Sequence, residues 1–397
     1  MISIDNYLFL SLTIVLLIWL HITIKHLGVK GLYFLYFFLN VTIFYGPICY
    51  YQLGFKSYIL AMSDESLFEF SLLSLTFFII NIFVLKITFL KQAFIFKNFF
   101  GNISFDKLEN KNKITTFYIL TYIVILAYMV IFYKHFPLVK LISGEELGER
   151  LDITGDIPLY ITFSAITMIF IPSGYFYFTN MIKNQFALFL LLLLCIFLLS
   201  AGGNKGIVSY FLIFYFLLSS KSINILKITL LITTLIIIYG ALKGVNNLSP
   251  ENINYLIDSP VRRLFVSQGS GYITRIEMIN NNAFHTGLAI KKEVYSNIYN
   301  TPYNSGTSPT HFTGNIVVTS GYLVTILIYT VFTIIFTRIL FTLDMLKIKK
   351  ENTFFMWNLF LLSYLITYSE FDLANFIRIG LMLINLFFIK NISRIKI

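Results

Sequence analysis

Two arginines side by side, Arg262-Arg263, a third at Arg275 and the histidines His285 and His311 fall within one polar stretch, residues 244–315. Arginines grouped this way can hold a phosphate through paired, charge-assisted hydrogen bonds. A histidine or a carboxylate close by can move a proton to or from a hydroxyl. The stretch also carries Lys291 and Lys292, and the pair Ser259-Pro260 reads as a helix start, with Ser as cap and Pro in the first turn. On a helix running from there, Arg263, Ser267, Ser270, Thr274, Glu277 and Asn281 share an arc of roughly 80°. Phe265, Tyr272, Ile276 and Ile279 lie opposite, so the pattern predicts an amphipathic helix with a polar stripe open to water or substrate. Glu277, on that stripe, is a candidate base. Gly269 and Gly271 weaken the helix by about 1 kcal/mol each and mark a place where it can break. A plain surface helix capping a bundle fits the same pattern, and a loop histidine is more often a surface residue than a catalyst.

Three other positions carry chemistry. Lys205 sits in Gly-Gly-Asn-Lys-Gly, a turn whose amide groups and cation suit a phosphate oxygen and which equally suits a simple connection between helices. Arg378 lies inside an apolar run, where an ionisable group usually faces a cavity with a partner; Glu370 and Asp372 are within reach, and snorkelling to the headgroups is the alternative. Glu69 and Asn81 interrupt another apolar run and read as interhelical hydrogen-bonding residues before substrate contacts. His285 and His311 lack further Cys or carboxylate partners at metal-ligand spacing, so no metal and no cofactor is expected.

The elements that must position these residues are set by composition. Of 397 residues, 57% are hydrophobic and 12% charged, and the mean hydropathy is +0.78. A soluble domain has about 25% charged residues. Apolar runs near the length of a bilayer-crossing helix recur throughout. The chain therefore reads as an all-α, polytopic membrane protein forming a single membrane domain over 1–397. Its about eleven spans are 7–24, 31–51, 66–90, 114–133, 157–180, 186–200, 207–220, 228–243, 316–342, 354–369 and 374–389. Alternate loops are rich in lysine, for example Lys97, Lys107, Lys111 and Lys113, and the positive-inside bias assigns them to the cytoplasm. Residues 244–315 then form a large external loop. The net charge of +11 reports this orientation, and nucleic acid is not an expected partner. Cys49 and Cys195 both lie in apolar runs and read as packed thiols. No Gly-rich phosphate loop followed by Lys-Ser/Thr is present, which speaks against an ATP-driven pump.

With SAGGNKG at an outward helix start, RRLFVSQGSGYITRIE, FHTGLAI, and TSPTHFTGNIVVTSGYLVTILIYT before the last spans, the chain resembles the bacterial oligosaccharide repeat-unit polymerases of O-antigen and capsule synthesis. The resemblance covers most of the chain in layout and implies a GT-C-like membrane architecture in the bacterial inner membrane. It implies transfer of a growing glycan from an undecaprenyl-diphosphate carrier to the sugar end of a carrier-linked repeat unit, with a site facing outward and room for a chain-length regulator as partner. Residue by residue it points to Lys205, Arg262, Arg263, Arg275 and His311; Arg378 and His285 join Lys205 as diphosphate contacts in this reading. Lys205 stands where the family often has Arg. Glu277 as base comes from the helical wheel and not from the family. The O-antigen ligases share the donor, and a lipid-linked oligosaccharide flippase would instead line a path through both leaflets with polar residues.

Overall fold

The computed structural model describes residues 4–27, 32–53, 63–91, 111–136, 139, 157–201, parts of 207–215, 233, 265–284, 289–300, 302–303, 308, 310–345, parts of 357–365, and 373–392. Among these every long element is an α-helix and there is no strand. In chain order they are α1 (Ile4–Leu27), α2 (Leu32–Phe44), α3 (Gly46–Gln52), α4 (Asp64–Lys91), α5 (Lys111–Ile131), α6 (Tyr160–Phe178), α7 (Gln185–Ala201), α8 (Ser267–Asn280), α9 (Ile290–Tyr299), α10 (Thr313–Met345) and α11 (Leu373–Ile392).

Five of them, α1, α4, α5, α6 and α10, are long and apolar enough to cross a membrane. The bent pair α2–α3, which turns by 46°, makes a sixth when it is counted as one broken span. Apolar side chains on their outer faces are exposed, among them Leu17, Phe83, Val124 and Leu327, as lipid contact requires. The chain is a multi-pass helical membrane protein.

The chain divides into two compact units. The first comprises residues 1–100, 261–347 and 363–372, and holds α1–α4 and α8–α10. The second comprises 101–260, 348–362 and 373–397. In the second unit α6 is the central helix, packed by α5, α7 and α11. Its interior is pinned by a polar node: Asn385 Nδ2 donates to Ser173 Oγ (3.2 Å) and to Asn358 Oδ1 (2.9 Å), and the Tyr118 hydroxyl donates to Asn385 Oδ1 (3.1 Å). Gly174, next to Ser173, has no room for a side chain, since a Cβ would stand 2.8 Å from the Tyr122 ring.

In the first unit α4 packs against α1, α8 and α10. A buried polar seam runs between α2, α4 and α10: Asn81 Nδ2 donates to the Tyr329 hydroxyl (2.6 Å), which donates to Asn40 Oδ1 (3.2 Å), while the Tyr36 hydroxyl donates to Asn81 Oδ1 (3.4 Å). Asn81 is thus committed to neighbouring helices, as its sequence context predicts.

Helix α8 enters where the α2–α3 span bends. Gly46, just after the bend, lies against the Phe265 carbonyl, and Gly269 of α8 lies against Pro47 and the Ile43 carbonyl; a Cβ on either glycine would collide with these atoms. Gly269 and Gly271 do not break α8. The first allows a close approach of backbones, which offsets its lower helix propensity.

Candidate functional site

The site is built on α8 and the segment that leads into α10. Apolar residues of α8 at Tyr272, Ile273, Ile276 and Met278 are all buried, which anchors the helix against α4 and α10. The expected open stripe is found only at one end. Ser270 and Thr274 are buried, their hydroxyls bonded to carbonyls of the preceding turn (Ser267, 3.0 Å; Ser270, 2.9 Å). The helix is covered on both faces because it is packed inside the unit instead of lying on its surface. Glu277, Asn280 and Asn281, at its C-terminal end, keep access to solvent.

Arg275 is fully buried. Its Nε donates to Asn315 Oδ1 (3.2 Å), its Nη1 to the Gly271 carbonyl (2.6 Å) and its Nη2 to the Ser308 carbonyl (3.1 Å). The guanidinium therefore ties the strap 308–315 to α8, and Gly314 gives it room: a Cβ there would stand 3.3 Å from Arg275 Cδ and collide with Thr310 Cγ2. Thr310 adds a bond from its hydroxyl to the Gln268 carbonyl (2.6 Å).

His311, on the same strap, is also fully buried, contrary to the surface position that a loop histidine suggests. Its ring is enclosed by Phe312, Phe44, Tyr329 and Phe77, with centroids 4.4, 4.9, 5.7 and 6.4 Å away. Nδ1 accepts from the Thr313 amide (3.3 Å) and shares a 2.7 Å bond with Thr313 Oγ1, which reaches the Tyr272 hydroxyl at 3.2 Å. An accepting Nδ1 puts the proton of the neutral ring on Nε2, which has no hydrogen-bond partner among the described residues. Burial pushes the imidazole down to about 3 from its ordinary 6.5, so His311 is neutral at physiological pH.

Glu277 faces the start of α4. Its Oε2 accepts from the Ser63 hydroxyl (2.6 Å) and amide (3.0 Å), and its Oε1 from Asn281 Nδ2 (3.3 Å). Burial acts to raise its pKa, and the bonds from Ser63, Ser66 and Asn281 outweigh it, leaving the carboxyl below its ordinary value. Glu69 lies a little further along α4, where the Tyr322 hydroxyl (2.7 Å) and Asn280 Nδ2 (3.2 Å) donate to its Oε2. Glu69 was expected to join helices. It does so while remaining partly exposed.

The first unit therefore brings Arg275 and His311 together at the strap, while Glu277, on the same helix as Arg275, faces the start of α4 instead. Arg378 belongs to α11 in the second unit, where its Nη1 donates to Asn375 Oδ1 (2.9 Å). Lys205, Arg262, Arg263 and His285, like the helix start at Ser259-Pro260, lie outside the described residues. Sequence reasoning missed Ser63 and Tyr322; the only local signal was their position at the edges of apolar runs. No protein-family model, curated protein or solved structure matches the chain.

Proposed function

We propose that the chain polymerises lipid-diphosphate-linked oligosaccharide repeat units at the outer face of a bacterial inner membrane, on a GT-C-like scaffold of about eleven spans. In the reaction an acceptor sugar hydroxyl attacks the anomeric carbon of the donor glycan. The bond from that carbon to the diphosphate oxygen breaks, and the lipid diphosphate leaves with the electron pair. Glu277 takes the proton of the attacking hydroxyl. Arg262 and Arg263, with His285, are the groups assigned to the diphosphate, whose negative charge grows in the transition state, and Lys205 and Arg378, which belong to the second unit, are proposed as phosphate contacts on the resemblance alone.

The observation that carries this reading is an accessible carboxylate, Glu277, held at the start of the apolar helix α4 by the Ser63 hydroxyl and amide. Arg275 is fully buried, so its part is to hold the strap 308–315 and thereby the wall of the site. The depressed pKa makes Glu277 a weak base that is always in its accepting form at neutral pH. A second reading, a transporter of lipid-linked oligosaccharides, would need the buried polar residues Asn40, Asn81, Tyr36 and Tyr329 to line an open path. Those groups bond to one another in this structure, which favours a structural seam over an open path.

Glycan size on gels tests the choice, in cells lacking the gene and complemented with wild type, Glu277→Gln or Arg262→Ala. Collapse of the ladder to one repeat unit, restored by wild type and not by the variants, supports the polymerase. Full-length polymer stranded on its lipid carrier means a ligase. Single units held on the cytoplasmic leaflet mean a transporter. The same cells, with and without a co-expressed chain-length regulator, show whether such a partner sets the ladder.

A further inference from the structure

The polar rim that receives Glu277 continues across α4. Ser66 Oγ bonds with Ser63 Oγ (3.0 Å), whose own proton goes to Glu277, Asn280 Nδ2 donates to Ser66 Oγ (3.3 Å) and to Glu69 Oε2 (3.2 Å), and the Tyr322 hydroxyl closes the row on Glu69 (2.7 Å). Two carboxylates are thus joined through hydroxyls and an amide in one chain of hydrogen bonds. All its members except Ser66 keep some access to solvent. Asp64 and Glu65, in the first turn of α4, are accounted for by the positive end of the helix dipole. Glu69 lies beyond that turn, and the dipole does not explain a carboxylate there.

A second feature meets this rim. Next to Tyr322, α10 is broken at Gly321, where φ is +78° and ψ is 177°. A Cβ on Gly321 would meet nothing within 4 Å, in contrast to the crowded Gly46, Gly269 and Gly314. The break therefore serves no close packing. Thr319, Ser320 and Gly321 itself are exposed. Backbone freed from helical bonding inside an apolar span is tolerated where it is covered by protein or faces a water-filled cavity, not against lipid. By that rule an exposed break beside an ionisable side chain calls for a watered recess in the span.

The geometry points to a glycan subsite in this recess, formed by Glu69, Tyr322 and Asn280 beside Glu277, which takes the non-reducing end of the acceptor. The inference rests on the polymerase reading and names the acceptor side of its site. Carboxylates accept from pairs of sugar hydroxyls, the Asn280 amide donates to a ring or hydroxyl oxygen, and the Tyr322 ring offers an apolar edge. Two carboxylates in one row favour neutral or amino sugars and oppose a uronic acid. Glu69 binds and orients the acceptor, and Glu277 receives its proton.

The test uses the full chain in lipid nanodiscs and the repeat-unit oligosaccharide released from the carrier by mild acid. Wild type is expected to bind it, Glu69→Gln and Tyr322→Phe to bind at least about tenfold more weakly, and Glu69→Asp to recover part of the loss, while Glu69→Gln and Tyr322→Phe, which lose the same bond between helices, lower the thermal midpoint by only a few degrees and remain folded at the binding temperature. In turnover with lipid-linked units, Glu69→Gln raises KM for the acceptor with kcat within about threefold, whereas Glu277→Gln lowers kcat. Equal binding by wild type and Glu69→Gln, no binding by wild type, or a repeat unit ending in a uronic acid would overturn the subsite. Absence of turnover by wild type with binding intact and sensitive to Glu69 would instead overturn the polymerase reading and leave a glycan site standing.

Discussion

Acidification should loosen the strap that carries His311, and the size of the effect follows from the burial of one ring. His311 is enclosed by four aromatic rings and titrates at about 3 in the closed structure, against 6.5 when free. The folded value is depressed, so between these limits the open strap binds more protons than the closed one. Stability is therefore fully present above about pH 6.5 and declines as pH falls through this window. At pH 5 the linkage amounts to about 2 kcal/mol, and it approaches about 5 kcal/mol below pH 3. Glu277 contributes in the same direction only once its own carboxyl protonates, below its ordinary 4.5. The other histidines are shared by wild type and the His311 variants, so the difference between them from pH 8 to pH 5 isolates His311. The assay is unfolding by detergent titration, read by the fluorescence of Trp19, fully buried on α1 of the same unit, in a Trp357→Phe background. Wild type should lose about 2 kcal/mol between pH 8 and pH 5, whereas His311→Phe, which fits the aromatic enclosure, should lose much less. The Phe variant will itself be weaker at pH 8 because the Thr313 hydroxyl loses one of its two partners, keeping the Tyr272 hydroxyl. Equal pH dependence in wild type, His311→Phe and His311→Gln would refute the argument, since the histidine would then not be the group that titrates.

Removing the Arg275 guanidinium leaves oxygens of Gly271, Ser308 and Asn315 without their donor, so Arg275→Ala should cost on the order of 3 kcal/mol in the same unfolding assay. Arg275→Lys should recover only part of this, because a single ammonium cannot span three acceptors on a planar fork; full recovery by Lys would mean that charge alone matters. Gly269→Ala should destabilise by at least about 1–3 kcal/mol, because its Cβ meets the Ile43 carbonyl and Pro47, which cannot both retreat. Gly380→Ala, on α11 with open space around it, should be neutral or stabilising by up to about 1 kcal/mol, and a similar loss at both sites would show that helix propensity and not contact is being measured.

The apolar runs alone locate the membrane helices closely: spans read at 7–24, 66–90, 114–133, 157–180 and 316–342 appear as Ile4–Leu27, Asp64–Lys91, Lys111–Ile131, Tyr160–Phe178 and Thr313–Met345. This legibility has a simple cause. A backbone in lipid must satisfy its own hydrogen bonds, so a long apolar run has no alternative to a helix. The break at Gly321 was not legible, because a single glycine inside such a run is compatible with straight helix, close packing or a kink, whereas the bend at Tyr45 carries a local signal in Gly46-Pro47 that a single span over 31–51 overlooks.

At α8 the amphipathic pattern correctly indicates a helix and identifies Glu277 as accessible, and it misplaces Ser270 and Thr274. Periodicity reports which residues differ in polarity, and what covers them is decided by other parts of the chain. The same limit applies to Arg275 and His311. Their residue types in a polar stretch raise the prospect of chemistry, yet both are enclosed once the strap 308–315 folds onto α8 between α4 and α10. By itself the sequence determined the helices, their membrane character and the residues able to act. The tertiary structure decided which of those residues meet water, because exposure at a given position depends on partners more than 200 residues away along the chain, as Glu277 with Ser63 and Glu69 with Tyr322 demonstrate.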